Sequence, residues 1–448
     1  MRLLDRWRGR RPGRRAAVIG LDGVGLPLVR ELVDRGVMPR LGAFMSSGSA
    51  APMRSTIPTI SSVSWAGFLT GNNPGRHGIF GFTDINRGEF KQYFPNFGSL
   101  KGDTVFDLLG RQGKRSVVVN VPGTYPAREM EGVLVSGFVA IKLEKAVHPP
   151  AMLGRLKQLG YRIDVDYVRA NERPEEFFND LFETLAIRRK LLVELAWDEA
   201  WDLFIGVITE TDRLHHYFWH VWEDEASPYH QRFIDFYGEV DEAIGLLLDA
   251  LEGVPTIVLA DHGHMLIESE VYPNVLLKEL GMLSYRNQPP RTVADIDPAT
   301  RAFVLDPGRV YLNLRGRYPT GTVDPGDADA VLADIEAAMC GIEYEGKRPV
   351  SKVYRRDELY SGAHLADAPD MVMHFGPGFD IKGSMRADGL FGRSALTGMH
   401  TYDDSLFAAS RPGMDLADLA ITDVAPTLLE ALGLAGAGEM DGRPRELV

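Results

Sequence analysis

Residues 16–23 read AAVIGLDG, an apolar run that ends on Asp22 and a glycine, and this stretch decides the fold. Two further apolar runs, Leu203–Ile208 and Thr256–Ala260, are also followed by acidic residues and histidines. Short apolar runs bounded by glycine and acidic residues predict parallel strands that are buried on both faces. Open α/β sheets bind their ligands at the carboxyl ends of such strands. We therefore predict an α/β protein in which polar side chains from distant segments meet at one end of a sheet.

Carboxylate side chains follow all three runs, and histidines follow two of them. Asp22 follows the first, Asp212 and His216 lie four residues apart beyond the second, and Asp261 and His262 follow the third. Two divalent cations about 4 Å apart can hold the attacking and departing oxygens of an in-line displacement at phosphorus. Mixed Asp and His ligands suit zinc, with manganese as the alternative, better than calcium. The predicted ligand set for two divalent metal ions is Asp22, Ser61, Asp212, His216, Asp261, His262 and His400.

Residues 58–65 read PTISSVSW and contain the candidate nucleophiles. A serine or threonine hydroxyl that a metal ion holds as an alkoxide is a natural nucleophile for attack at phosphorus. Thr59 and Ser61 both meet this requirement, so the residues alone leave the choice open.

The candidate residues lie within a series of short motifs that follow one another along the chain. They are LDG at 21–23, the block from Thr70 to Ile79, Asp212 with His216, ADHG at 260–263, GMH at 398–400, APT at 425–427 and MDG at 440–442. The ordered set resembles the alkaline phosphatase superfamily, in the branch that contains type I phosphodiesterases, nucleotide pyrophosphatases and predicted phosphohydrolases or phosphomutases. The resemblance covers nearly the whole chain.

The resemblance implies a fold and a role for each candidate ligand. The implied fold is an alkaline-phosphatase-like sandwich with a central, mostly parallel sheet between helices and an inserted cap. Family spacing places the nucleophile nine residues before Thr70, which selects Ser61 and has it bridge the two metal ions. The implied ligands are Asp212, His216 and His400 for one ion, and Asp22, Asp261 and His262 for the other.

Two positions depart from the family pattern. Many phosphodiesterase relatives have threonine where this chain has Ser61, which is a mild change. Nucleotide pyrophosphatase relatives have an asparagine three residues after the nucleophile, where this chain has Ser64. The second departure argues against a strictly pyrophosphatase-like substrate.

The predicted function is metal-dependent hydrolysis of a small-molecule phosphate ester through a covalent phosphoseryl intermediate. The alternatives are a phosphomutase of the same superfamily and a catalytically idle binding module on this fold. Residues 80–105 carry six aromatic side chains among turn residues and are a candidate wall for the substrate. Near the nucleophile the sequence offers only Arg54 and Arg76 to neutralise a dianion, so we predict a preference for phosphodiesters over monoesters.

Each candidate also has a simpler interpretation when it is considered alone. Asp22 could form a turn or cap a helix, and Asp212 with His216 could be an exposed helical pair. His77 fits a structural brace for the loop after the nucleophile better than it fits a ligand. His215, His220 and His264 are predicted to be surface or supporting residues. Of these three, His264 is the one most expected to matter, because it follows the pair Asp261 and His262.

Composition agrees with an enzyme that has a large core. The chain has 448 residues, is 45% hydrophobic and carries a net charge of −13, which argues against a nucleic-acid scaffold. The single cysteine, Cys340, excludes an internal disulfide. The sequence has no apolar signal-peptide region and no run of the roughly 20 apolar residues that span a membrane. We therefore predict a cytoplasmic location; the pattern leaves the oligomeric state open.

The chain divides into three predicted regions. Residues 1–15 form a basic, flexible tail, for which contact with acidic lipid is the alternative to solvent exposure. Residues 16–283 and 393–448 form the catalytic core, and residues 284–392 form an inserted cap that selects the substrate. Apolar spacing predicts a helix over Phe233–Leu251 in the core and another near Asp327–Met339 in the cap.

Overall fold

A computed structural model describes residues 14–434, 436 and 439–448 of the chain. The basic tail that the sequence predicts lies outside the described residues, apart from Arg14 and Arg15. The strands of the described part are β1 (Ala16–Leu21), β2 (Ser49–Met53), β3 (Asp84–Asn86), β4 (Lys91–Tyr93), β5 (Ser116–Val119), β6 (Gly132–Val135), β7 (Val147–His148), β8 (Leu203–Ile208), β9 (Thr256–Leu259), β10 (Gly263–Leu266), β11 (Ser269–Val271), β12 (Ala302–Leu305), β13 (Arg309–Leu312), β14 (Val350–Arg355), β15 (Met371–Phe375), β16 (Phe379–Ile381), β17 (Phe391–Gly392), β18 (Gly398–Thr401) and β19 (Ser405–Ala409).

The helices of the same residues surround these strands. They are α1 (Leu26–Asp34), α2 (Pro39–Ser47), α3 (Ser61–Thr70), α4 (Pro74–His77), α5 (Val105–Arg111), α6 (Met152–Leu159), α7 (Arg169–Glu172), α8 (Pro174–Asp198), α9 (Glu210–Glu223), α10 (His230–Ala250), α11 (Pro273–Glu279), α12 (Ala328–Cys340), α13 (Arg356–Leu359) and α14 (Val424–Ala431). None of them is long and apolar enough to cross a bilayer.

The central sheet has the strand order β2-β19-β9-β1-β8-β5-β6-β7. Strands β9, β1, β8, β5 and β6 run parallel, whereas β19, β2 and β7 pair antiparallel at the two sides. Every residue of β1, β8 and β9 is buried, as the apolar runs predict. Strand β5 is likewise buried and ends at Val119, and the next residue, Asn120, takes a positive φ of 62°. The prediction of a mostly parallel α/β sheet is confirmed.

Helices cover both faces of this sheet. Because side chains alternate along a strand, Ala17, Ile19 and Leu21 of β1 pack in one core with α1, α8 and α10. Ala16 and Val18 pack in the opposite core with α3, α5 and α14. The helix that the sequence predicts over Phe233–Leu251 is α10, and its apolar stripe faces the first of these cores.

A second, antiparallel sheet lies in the segment that the sequence assigns to a cap. Its strand order is β12-β13-β15-β14, and α12 occupies the position predicted near Asp327–Met339. This sheet has a separate apolar core, built around residues such as Phe303, Ile335 and Met371. The same core includes Val271 and Leu277, which precede residue 284. The role of this region as a cap for the substrate stays a prediction.

Candidate metal centre

The predicted ligands lie where the parallel strands of the central sheet end. Asp22 follows β1, Asp261 follows the neighbouring β9, and Asp212 lies in the first turn of α9, directly after β8 on the other side of β1. The backbone N–H of Asp22 donates to the carbonyl of Ile208 at 2.9 Å, and the N–H of Gly23 donates to Oδ1 of Asp261 at 3.1 Å. Three segments far apart in sequence are thereby held side by side.

The ligand-type side chains form two clusters. The first cluster consists of Asp212, His216, His264 and His400, and the second of Asp22, Asp261 and His262; within each, the ligand atoms lie within 4.8 Å of one another. The structure therefore groups the carboxylates and histidines in the two sets that the family resemblance implies. It adds one residue, His264, to the first set.

The first cluster is arranged around one carboxylate oxygen. Oδ1 of Asp212 lies 3.3 Å from Nε2 of His216, 3.6 Å from Nε2 of His264 and 3.7 Å from Nε2 of His400. His264 and His400 are direct neighbours across the antiparallel pair β10 and β18. Four potential ligand atoms therefore converge on one small volume.

The second cluster lies beside Ser61, the first residue of α3. The Ser61 hydroxyl donates to Oδ1 of Asp22 at 3.2 Å and lies 3.1 Å from Nε2 of His262. Trp65 of the same helix donates from Nε1 to the other oxygen of Asp22 at 3.1 Å. The rival hydroxyl, that of Thr59, donates to the backbone carbonyl of Thr56 at 2.9 Å.

Backbone carbonyls fix the protonation of the cluster histidines. Because a carbonyl only accepts, each Nδ1 that contacts one must carry a proton, and in a neutral ring Nε2 then keeps its lone pair. The four Nε2 atoms therefore face the clusters in the form that binds a metal. The contacts are His216 to Gly398 at 3.1 Å, His262 to Gly263 at 3.0 Å, His264 to Gly23 at 2.9 Å and His400 to Thr59 at 3.0 Å.

Burial disfavours the ionised form of the carboxylates in the second cluster unless a cation offsets their charge. Burial, together with the charges of Asp261 and Asp212, raises the pKa of Asp22 well above its ordinary value. Burial and the charge of Asp212 raise the pKa of Asp261 to about 8. Burial and the neighbouring His400 hold the pKa of His262 well below its ordinary value, so the ring is neutral. Neutral imidazoles beside mutually repelling carboxylates suit a divalent cation.

Unsatisfied atoms give a separate test of whether a metal fits. Oδ1 of Asp212, Oδ2 of Asp261 and Nε2 of His264 are buried and have no hydrogen-bond partner among the described residues. A buried polar atom without a partner costs about 1–3 kcal/mol, so such atoms are rarely left unused. The donor set of imidazole nitrogens and carboxylate oxygens fits a divalent transition metal in each cluster.

One arginine that the sequence did not indicate lies next to the first cluster. Arg213 follows Asp212 and lies 3.3 Å from its Oδ2, while a second ion pair at 2.8 Å ties it to Asp164. The two arginines considered from the sequence are used elsewhere. Arg54 donates to the carbonyl of Asp418, and Arg76 pairs with Asp441.

Ser64, which replaces the expected asparagine, is fully buried. Its Oγ lies 2.8 Å from Oγ of Ser55 and 3.0 Å from Oγ1 of Thr56. This hydroxyl therefore belongs to the packing beneath α3.

The aromatic segment that the sequence predicts as a substrate wall divides into two parts. Phe80, Phe90 and Phe97 are core residues with at most 8% exposure. Phe82 instead stacks on Phe138, with ring centroids 5.6 Å apart, and Phe94 packs edge-on against Phe82. The guanidinium of Arg213 lies 4.2 Å from the centroid of the Phe138 ring. Phe82, Phe94 and Phe138, which we call the aromatic wall, are thus connected to the first cluster through one side chain.

Three residues at this site are not among the ligands or substrate contacts predicted from the sequence, for different reasons. His264 is two residues after His262, a spacing that a strand places on one face, and this was the available signal. Arg213 was adjacent to a ligand but lay outside the nucleophile segment. Phe138 follows β6, far in sequence from the aromatic segment, and no local pattern connects the two.

Solved structures include proteins with the same fold as this chain. In overall structure it is similar to phosphonoacetate hydrolase from Sinorhizobium meliloti 1021, in complexes with phosphonoformate and with phosphonoacetate, at 18% identity and a TM-score of 0.64, over 95% of this chain and 96% of that one. It is also similar to murine ectonucleotide pyrophosphatase/phosphodiesterase 5, at 15% identity and a TM-score of 0.57, over 96% and 97% of the two chains.

The sequence comparison is more specific. A search of curated proteins finds no significant match. Residues 16–403, however, match the sequence profile of the family described as type I phosphodiesterase / nucleotide pyrophosphatase. The chain therefore belongs to the type I phosphodiesterase / nucleotide pyrophosphatase family, and its class of activity is phosphoester hydrolysis.

Proposed function

We propose that the protein hydrolyses phosphodiesters with the help of two divalent metal ions and through a covalent phosphoseryl intermediate on Ser61. The observation that carries the proposal is the contact of the Ser61 hydroxyl with Asp22 and His262 at 3.2 and 3.1 Å. A nucleophile needs a partner for its proton and charge within this range. Zinc is the favoured metal, with manganese as the alternative.

The chain's own residues prepare Ser61 for attack. Asp22 accepts the hydroxyl proton in a hydrogen bond, and Trp65 holds that carboxylate in place from its other oxygen. Ser61 is also the first residue of a ten-residue helix, whose positive end favours a developing alkoxide and the oxygens of a phosphoryl group. When bound, divalent cations supply Lewis-acid charge that lowers the pKa of the nucleophile and offsets charge on the phosphoryl oxygens.

The reaction then has two displacements. Oγ of Ser61 forms a bond to phosphorus while the bond from phosphorus to one ester oxygen breaks, and the alcohol leaves. Water next attacks the phosphoseryl group, the bond between Oγ and phosphorus breaks, and the monoester product departs with Ser61 restored. The proton of Ser61 leaves with the alcohol in the first step, and a proton of the attacking water returns to Ser61 in the second. Phosphorus keeps the same oxidation state throughout, so no redox partner is needed.

The surroundings of the clusters support a diester over a monoester. A monoester dianion requires an additional cationic partner, yet Arg213 is held by Asp164 and Asp212. Ser64 is buried and cannot hold a phosphoryl oxygen in place of an asparagine. The aromatic wall, by contrast, offers ring surface for the second ester group of a diester.

A substrate panel tests the proposal. Protein loaded with zinc or manganese would be assayed on matched aryl phosphodiesters, phosphomonoesters and sulfate esters, and on a sugar phosphate and phosphonoacetate. We expect the highest kcat/KM for the diester and the lowest for the sulfate ester. Brief acid quenching during turnover should trap phosphate on the peptide that contains Ser61.

Other outcomes would redirect the assignment. Transfer within a sugar phosphate without release of phosphate would favour a phosphomutase. Release of phosphate from phosphonoacetate at a rate above that of the diester would favour the chemistry of the structural neighbour. Rapid turnover with no phosphate on Ser61 would contradict the covalent mechanism itself.

A further inference from the structure

His264 is placed in the first cluster by two independent parts of the fold. Its strand, β10, pairs antiparallel with β18, so that His264 lies directly across from His400. Its Nε2 lies 3.6 Å from Oδ1 of Asp212, and its ring centroid lies 4.9 Å from that of His216. The family resemblance assigns three ligands to this site, and His264 is not one of them.

The hydrogen bonds of His264 leave one atom unused. Nδ1 donates to the carbonyl of Gly23 at 2.9 Å, which fixes the proton on that nitrogen. Nε2 therefore carries a lone pair, faces the cluster and has no hydrogen-bond partner among the described residues, although the side chain is fully buried. A ligand in the cluster would remove the cost of this buried, unpaired acceptor.

The neighbouring His215 shows what a purely structural histidine looks like at the same place. Its Nδ1 donates to the same Gly23 carbonyl at 2.8 Å, and its Nε2 accepts from the hydroxyl of Tyr237 at 2.6 Å. Both of its nitrogens are satisfied within the protein. The two rings are in contact, with centroids 4.9 Å apart, yet only His264 presents a free lone pair.

Gly23 leaves the space that the His264 ring occupies. A Cβ atom at Gly23 would lie 2.6 Å from Cε1 and 2.7 Å from Nδ1 of His264, which is far inside van der Waals contact. Gly23 also has a φ of 73°, a conformation that residues with a side chain rarely adopt. The backbone after β1 is thus shaped to hold this ring beside Asp212.

We propose that His264 is a fourth protein ligand of the metal ion in the first cluster. The inference rests on the metal-dependent function proposed above. Four protein ligands complete the tetrahedral set that zinc prefers, whereas the three of the second cluster leave a position open for Ser61. The first site is then the tighter of the two and fills before the second.

The variant H264N separates ligation from structural support. An asparagine amide can still donate to the Gly23 carbonyl from the position of Nδ1, but it has no atom at the position of Nε2. The exposed His220 on α9 provides the matched control as H220N. The readouts are zinc content, zinc affinity by competition with a chelator, and the rise in melting temperature that zinc produces.

We expect H264N to bind the first zinc at least about 100-fold more weakly than wild type, since residues that only support a ligand already cost 10–100-fold. The rise in melting temperature with zinc should shrink, while H220N should match wild type in all three readouts. A role in packing alone would instead lower the melting temperature of the metal-free protein and leave zinc affinity unchanged, which would overturn the inference.

A second measurement does not depend on the folding of any variant. X-ray absorption of wild-type protein loaded with one equivalent of zinc counts the imidazoles around the metal. Three imidazoles support the assignment, and two or fewer contradict it. Wild-type protein that binds no zinc or manganese would overturn the proposed function as well, whereas two metals bound equally well by H264N would overturn only the role of His264.

Discussion

The two clusters differ in charge, although each has the make-up of a site for a divalent metal. The first combines one carboxylate with three imidazoles, and the second combines two carboxylates with one imidazole and the Ser61 hydroxyl. A divalent cation would keep positive charge in the first cluster, whereas two carboxylates would neutralise it in the second. The first cluster is therefore suited to attract phosphoryl oxygens through its net charge, without an open ligand position, and the second is suited to hold an activated hydroxyl close to phosphorus.

The clusters also differ in how the fold assembles them. The second takes both carboxylates from the ends of the neighbouring parallel strands β1 and β9. The first depends on β18, which starts at Gly398 and returns to pair with β10. The nucleophile site thus belongs to the central sheet, while the other site also requires the pairing of β10 with β18, which form a separate two-stranded sheet.

Removal of metal should have the largest effect, because both clusters are proposed to need a cation. Treatment with a chelator should reduce turnover below detection, and two equivalents of zinc or manganese should restore it. Elemental analysis alongside activity checks this. If the second cluster holds its metal more weakly, activity should vanish when the first equivalent is lost. Full turnover in a sample shown to be metal-free would contradict the proposal that the two clusters bind metal ions needed for catalysis.

Ser61→Ala should have the next largest effect, because it deletes the covalent step that we assign to the second cluster. We expect kcat to fall by roughly three or more orders of magnitude. Thr59→Ala is the matched control, since its hydroxyl contacts the Thr56 carbonyl, and it should retain most activity. Steady-state kinetics with metal content checked for each variant are the measurement. The opposite ranking of the two variants would place the nucleophile at Thr59.

These differences explain which parts of the site the sequence could predict. Asp22, Asp212 and Asp261 follow apolar strands that are visible locally, and a parallel sheet brings strand ends together by itself. His264 has only the weaker signal of its position two residues after His262, because its place in the cluster depends on which strand pairs with β10. Tertiary pairing of this kind is absent from local periodicity, so the sequence predicts three ligands where the structure groups four residues.

The same limit applies to the fold. Buried strands and the helix α10 have strong periodic signals, and they were predicted within a few residues of their ends. The core of the second sheet was harder, because Val271 and Leu277 join it from the neighbouring part of the chain. The aromatic segment was also hard to interpret from sequence, because half of its aromatic side chains are buried in the core. Phe138, which stacks on Phe82, comes from a distant part of the chain.

A smaller effect is expected from the aromatic wall, which adjoins the first cluster through Arg213. Phe138→Ala should lower kcat/KM for an aryl phosphodiester by about two- to tenfold, since one lost aromatic contact is worth about 0.5–1.5 kcal/mol. Its kcat/KM for the matching monoester should change much less, because that substrate has one ester group. The control is Ile141→Ala, a nearby apolar residue with 81% exposure. Equal losses on both substrates would show that Phe138 supports the cluster instead of the substrate.

The last predicted effect concerns stability in acid instead of catalysis, and it separates the clusters from a buried histidine outside them. His77 is fully buried, its Nδ1 accepts from the N–H of Ile79 at 3.2 Å, and burial lowers its pKa to about 3. An unfolded chain would take up a proton at this ring near pH 6.5, whereas the folded protein would not until about pH 3. Stability is therefore fully present above pH 6.5 and is lost as the pH falls, by about 2 kcal/mol at pH 5.

His77→Asn should remove that pH dependence while an amide oxygen still accepts from Ile79. The measurement is the free energy of unfolding in denaturant at pH 7.5 and at pH 5, on metal-free protein, because loss of metal in acid would otherwise add to the change. The difference between the two pH values should be about 2 kcal/mol smaller in the variant, whatever the substitution costs in packing. An unchanged difference would mean that the acid sensitivity arises elsewhere, with the cluster histidines as the first groups to examine.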